Sequence, residues 1–171
     1  MTMSSTRSLF AAAVLAASAL CTGPVLALEP ATGKVVLTVS GKVAAKNTAQ
    51  AADFDMAMLE AMPQKTFTTL TPWDRQPIKF SGPLLRDVLA AAKASGTTLK
   101  AVAVNDYSTT IPLSDTQQFD MVLATRMNGQ PIPPRTKGPL FIVYPYDSQP
   151  TLQAPIYKDR SAWQLRSLLV E

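Results

Sequence analysis

Thr69-Leu70-Thr71-Pro72-Trp73, continuing through Ile78-Lys79-Phe80-Ser81-Gly82-Pro83-Leu84-Leu85-Arg86-Asp87-Val88-Leu89, is the stretch that decides the fold. It reads as a strand ending in an aromatic loop, a short second strand, a Gly-Pro break and then a helix. Pro83 suits a first helical turn, where its missing N–H leaves nothing unsatisfied. Behind it Leu84, Leu85, Val88, Leu89 and Ala92 recur at helical spacing and form one apolar stripe facing a core. Ser95-Gly96 supplies a helix stop. The loop places Trp73 among Pro72, Asp74, Arg75 and Gln76. Such a ring either plugs the edge of the core or offers a flat platform to a ligand, and the residues alone leave both open.

Toward the N-terminus, residues 1–27 read as an export signal. Arg7 gives a weakly basic start, Leu9–Leu20 a short apolar run, and Val25-Leu26-Ala27 a small-residue cleavage site. The run is too short for an ordinary membrane helix. Cleavage leaves residues 28–171, enough for a single domain with its own core. Loss of Arg7 takes the net charge from +4 to +3. These charges are scattered without a Lys/Arg run, which argues against nucleic acid as a partner. The only cysteine, Cys21, leaves with the signal, and the chain has no histidine. Disulfides, Cys/His zinc sites, c-type haem attachment and Cys or Ser-His catalysis are thereby excluded from the mature chain. The expectation is a periplasmic protein with no direct membrane insertion.

The rest of the chain adds strands. Val35–Val43 is rich in β-branched residues. Ala44–Ala52 reads as a connection, and Asp55 caps a short helix through Ala61 that Pro63 ends. Lys65–Thr71 leads to Trp73. Leu99–Val104 and Tyr107–Leu113 flank an Asn105-Asp106 turn. Ser114–Phe119 opens as a helical turn, and Met121–Arg126 is one strand closed by Asn128-Gly129. Gln130–Gly138 is a proline-rich loop whose Arg135 and Lys137 are expected to coat its surface. Leu140–Tyr144 is a buried strand. Asp147–Pro155 is an irregular loop, Tyr157–Trp163 a lead-in, and Gln164–Val170 the last strand. Many short strands and few short helices predict an α+β domain on mixed β-sheets.

The order of these pieces resembles the molybdopterin-binding domain of the sulfite oxidase-like oxidoreductases, from about Val36 to Val170. The shared fragments begin with Gly41-Lys42-Val43, Met62-Pro63, the threonine-rich approach to Trp73, and Phe80–Leu85 with Val88-Leu89. They continue with Asp106-Tyr107, Ile111-Pro112, Leu123-Ala124 and Asn128-Gly129-Gln130-Pro131. Gly138–Pro145 and Trp163-Gln164-Leu165 close the series. The resemblance implies the family's fold and a pocket for a pterin cofactor. It also implies a cysteine thiolate on molybdenum near the end of the strand before Trp73, where this chain has Thr69, Leu70 and Thr71. No thiol remains after cleavage to supply that ligand. The twin-arginine signal that a folded, cofactor-loaded protein needs for export is missing too.

What survives the departure is a pocket for a pterin without metal. A pterin needs an aromatic or guanidinium face to stack on and a carboxylate or carbonyl to accept its ring N–H and amino group. Trp73 is the stacking candidate and Asp106 the candidate acceptor, although a turn aspartate also bonds its own backbone. Tyr107 is a candidate wall residue or a core tyrosine. Arg126 is a candidate ligand contact or a solvated strand-end charge; Arg160 is a candidate contact where the last segment meets the sheet, and Trp163 beside it is expected to be structural. The expected function is a non-catalytic pterin-binding protein. The resemblance further implies a relay of pterin levels to a membrane-bound sensor enzyme of the cyclic-di-GMP type. The alternative is a molybdenum-cofactor oxidoreductase or a subunit of one, which would hold molybdopterin. A third reading is an adaptor domain that kept the fold and lost the ligand.

Overall fold

The computed structural model describes residues 28–171; the expected export signal, residues 1–27 with Cys21, lies outside the described residues. The first strand, β1 (Val35–Gly41), lies inside a five-stranded sheet. It pairs in parallel with the last strand, β11 (Leu165–Val170), and antiparallel with β2 (Ala51–Asp55). β11 pairs antiparallel with β5 (Thr98–Ala103), and β5 with β6 (Ser108–Pro112). The first and last strands thus close one mixed sheet, and they form its parallel pair. Leu37 and Val39 alternate into the core from β1, and Leu165, Leu168 and Val170 are buried from β11.

A second sheet of four strands contains the opening stretch. β3 (Gln64–Thr69) pairs antiparallel with β4 (Ile78–Pro83), which pairs with β8 (Arg126–Met127), and β8 with β9 (Gln130–Pro131). Two further strands, β7 (Val122–Ala124) and β10 (Phe141–Val143), pair antiparallel and are wholly buried. Gly82 lets β4 cross β7 closely: a Cβ there would lie 2.0 Å from the Leu123 carbonyl oxygen. The fold is α+β with mixed sheets and short helices, as predicted.

The helices are α1 (Met56–Ala61), α2 (Leu85–Ala91), α3 (Leu113–Gln118) and α4 (Pro155–Arg160). Asp55 caps α1 as expected, accepting from the Met58 N–H at 2.9 Å. The same carboxylate accepts from the N–H groups of Thr32 and Gly33, which ties the segment before β1 to the end of β2. These donors, Met58 first, hold the Asp55 carboxyl below its ordinary range. The stripe on α2 is buried through Leu85, Val88 and Leu89.

Several boundaries differ from the sequence reading. Pro83 ends β4 instead of entering α2, whose N-cap is Leu84. A proline is tolerated at this strand end because the pairing of β4 with β8 stops at Ser81, so the N–H it lacks is not needed by that ladder. The left-handed residue after α2 is Lys93 (φ 47°), while Gly96 permits close approach to the Glu171 carbonyl. Met121–Arg126 is broken at Thr125, whose N–H donates to the Ser81 carbonyl, so β7 and β8 join different sheets. Ala51–Asp55 is a strand, fixed by the Asn47 side chain along its outer edge. Pro155–Arg160 is a helix, although it buries no residue and so carries no apolar stripe. The turn after β8 follows the reading, with Asn128 and Gly129 both at positive φ.

Candidate functional site

Trp73 follows β3 in a loop held at both ends. Asp147 accepts from the Leu70 N–H (2.7 Å) and from the Thr69 hydroxyl (3.1 Å), and its own N–H donates back to Thr69. Further on, the Thr71 hydroxyl donates to Asp74, and Lys137 donates to the same carboxylate at 2.9 Å. Burial would raise the Asp74 carboxyl, but the Thr71 and Lys137 bonds outweigh it and hold it below the ordinary range. Lys137 does more than coat its loop. Its ammonium lies 5.7 Å from the centre of the Trp73 ring and 5.8 Å from that of Phe141.

Trp73 packs into the edge of the core and leaves part of its ring uncovered. The ring is half-buried and packs against Phe141 (5.8 Å between centres), Tyr146 (6.4 Å) and Trp163 (5.1 Å, edge to face). Its remaining surface lines a cavity of about 190 Å³. Trp163, expected to be structural only, lines that cavity as well. So do Asn105 and Tyr107 from the β5–β6 turn, and Lys158, Asp159 and Ser161 from α4 and its end. This volume lies below the roughly 300–1,000 Å³ of sites for drug-sized molecules. At that size the cavity has room for one small ligand.

The predicted residues separate into two groups. Trp73 and Tyr107 meet in the cavity, and the Tyr107 hydroxyl donates to the Asp159 carbonyl oxygen (2.8 Å), joining the turn to α4. Asp106 does not line it. Its φ is 64°, its side chain is 80% exposed, and it accepts from Arg166 at 2.7 Å. Arg126 lies on β8 and pairs with Glu60 of α1 (2.7 Å). Arg160 turns inward to Asp115 (2.9 Å), where the Tyr144 hydroxyl also donates (2.7 Å). Burial, followed by that acceptor, pushes the Tyr144 hydroxyl far above its ordinary range and keeps it a donor. Tyr146, sharing a 2.6 Å hydrogen bond with Ser161, is pushed by burial up to about 12.

Sequence reasoning missed Asn105, Lys158 and Asp159. Asn105 stood beside a singled-out residue. The two on α4 had no signal, because the helix that presents them has no periodic apolar pattern.

A molybdenum ion held through protein sulfur does not fit these residues. The described residues contain no cysteine, and the hydroxyls of Thr69 and Thr71 are engaged with Asp147 and Asp74. Among the described residues no three His, Cys, Asp or Glu side chains cluster as a metal site.

Fold and cavity together define a small α+β domain with a recess walled in part by the rings of Trp73, Tyr107 and Trp163. Residues 26–147 match the oxidoreductase molybdopterin binding domain, and the chain belongs to that family. No curated protein matches the chain.

Proposed function

We propose that this protein binds a pterin without its metal in the cavity beside Trp73, and that it is not itself a catalyst. The observation that carries the reading is the joint presence there of Trp73, Trp163, Tyr107, Asn105, Lys158 and Asp159. A pterin's pyrimidine edge offers a carbonyl acceptor beside N–H and amino donors. Among the described residues the Asp159 carboxylate has no hydrogen-bond donor and the Lys158 ammonium no ion-pair partner. Asp159 accepts from the ring, Lys158 and Asn105 donate to its carbonyl, and the indole face of Trp73 stacks on it. Arg160 acts behind the wall, holding α4 in place. Membership of a molybdopterin-binding family supports the choice of a pterin over other flat rings.

The protein works in the periplasm, after removal of residues 1–27. Binding favours the ordered state of the Pro72–Pro77 and Asp147–Tyr157 segments that the hydrogen bonds of Asp147 and Lys137 already support, and that surface is read by a membrane sensor enzyme of the cyclic-di-GMP type. Differential affinity of the pterin for the ordered state is all the relay requires. The test is the composition of protein purified from its native compartment. Pterin without molybdenum supports the reading. Stoichiometric molybdenum would replace it with the oxidoreductase alternative.

A further inference from the structure

A strand at the edge of a sheet carries backbone groups that its own sheet leaves unpaired, and folded proteins usually cover them. This chain does so at other edges. Along β2, the Asn47 amide donates to the Asp53 carbonyl and accepts from the Asp53 N–H, both at 2.8 Å. α4 packs beside β6. β9 is two residues long and ends in Pro131.

β3 differs. It has six residues, no proline and an unbroken register with β4. The direction of its backbone groups follows from β4. Thr125 N–H donates to the Ser81 carbonyl (3.0 Å) and Asn128 N–H to that of Lys79 (2.7 Å), so Lys79 and Ser81 face β8. Ile78, Phe80 and Gly82 therefore face β3, and their register partners Thr69, Phe67 and Lys65 face back. The N–H and C=O groups of Gln64, Thr66 and Thr68 point outward, with no backbone partner among the described residues.

A groove of about 460 Å³ runs beside this edge, lined by Lys65 and Phe67 of β3 and, opposite, by Phe119, Pro145, Ser148 and Gln149. Lys65 and Phe67 share a strand face, so a strand added to β3 would send alternate side chains into the groove. At one end Lys65 (3.1 Å) and Arg86 (2.8 Å) share the single carboxylate of Asp120, which leaves the cluster with a net positive charge.

We propose that β3 is the docking edge for an extended segment of a partner protein, which joins the sheet as an additional strand. The segment places an apolar side chain against Phe67 and Phe119 and an acidic one beside Lys65 and Arg86. This inference does not depend on what the Trp73 cavity holds.

The probe is a synthetic library of extended heptapeptides selected against the full chain. Selected sequences should alternate apolar residues and carry an acidic residue at one end. Their binding should slow amide exchange at Gln64, Thr66 and Thr68 by at least about tenfold. N-methylation at alternate peptide positions should weaken binding at least about tenfold, and at the intervening positions by less than about threefold. Thr66→Pro, which removes one outward N–H, should match the N-methyl loss; the peptide scan on the unaltered protein decides the matter should that variant not fold. Failure to select any peptide, binding without protection of these amides, or indifference to N-methyl register would overturn the proposal. So would concentration-dependent protection of the same amides in the protein alone, which would assign the edge to a second copy of the chain.

Discussion

Replacing Arg160 with Met should destabilise the protein by about 2–3 kcal/mol. Arg160 is 19% exposed and its partner Asp115 only 8%, so the variant leaves a nearly buried carboxylate whose remaining donor is the Tyr144 hydroxyl. Breaking a fully buried pair costs about 3–5 kcal/mol. The figure here is smaller because Arg160 keeps some contact with water and its buried Nε has no partner among the described residues. At this chain length the loss corresponds to a fall in Tm of roughly 6–12 °C, read by circular dichroism or calorimetry. Removing the whole polar cluster should cost less than removing one member. The triple variant Asp115→Leu, Tyr144→Phe, Arg160→Met leaves no stranded charge or hydroxyl and should recover at least half of the lost stability. A fall below about 2 °C for Arg160→Met, or a triple variant as unstable as the single one, would show that the Asp115 carboxylate is not left stranded.

Gly82→Ala should cost about 3 kcal/mol or more, because the new Cβ meets backbone at Leu123, whereas Gly129→Ala has open space and suffers only from its φ of 81°, about 1–2 kcal/mol; urea unfolding of the two variants checks the ranking. Asp55 has a folded pKa below its unfolded value. Its contribution is therefore complete above the ordinary carboxylate range and lost as pH falls through the folded value. Between about pH 6 and pH 3 the Tm of the wild type should accordingly fall more steeply than that of Asp55→Asn. Asp159→Asn should weaken pterin binding about tenfold while changing Tm little, since this exposed carboxylate holds no other group; calorimetric titration separates the two effects.

Most of the sheet strands were legible because their patterns are local. β-branched residues mark β1, alternation marks β5, and an unbroken apolar run marks β10. Asn128-Gly129 gave its turn because few residues accept two successive positive φ values. The losses came where a distant group decides. β2 is a strand because Asn47 lines its edge and β1 pairs with it, neither of which shows in five residues whose only large apolar side chain is Phe54. Met121–Arg126 divides at Thr125 because the Ser81 carbonyl captures its N–H. The site follows the same rule. Trp73 was legible as a large ring in a polar loop, and Tyr107 through its neighbouring turn. Lys158 and Asp159 reach the cavity only because α4 is pinned by Tyr107 and Arg160, contacts that span 52 and 45 residues.

The most direct measurement is titration of a reduced pterin into the metal-free mature protein, followed by tryptophan fluorescence, for wild type and Trp73→Ala. Saturable quenching is expected in the wild type, with binding weakened by about 1–3 kcal/mol in a variant whose circular dichroism remains native. Absence of binding in the wild type, or equal affinity in the folded variant, would contradict pterin stacking on Trp73.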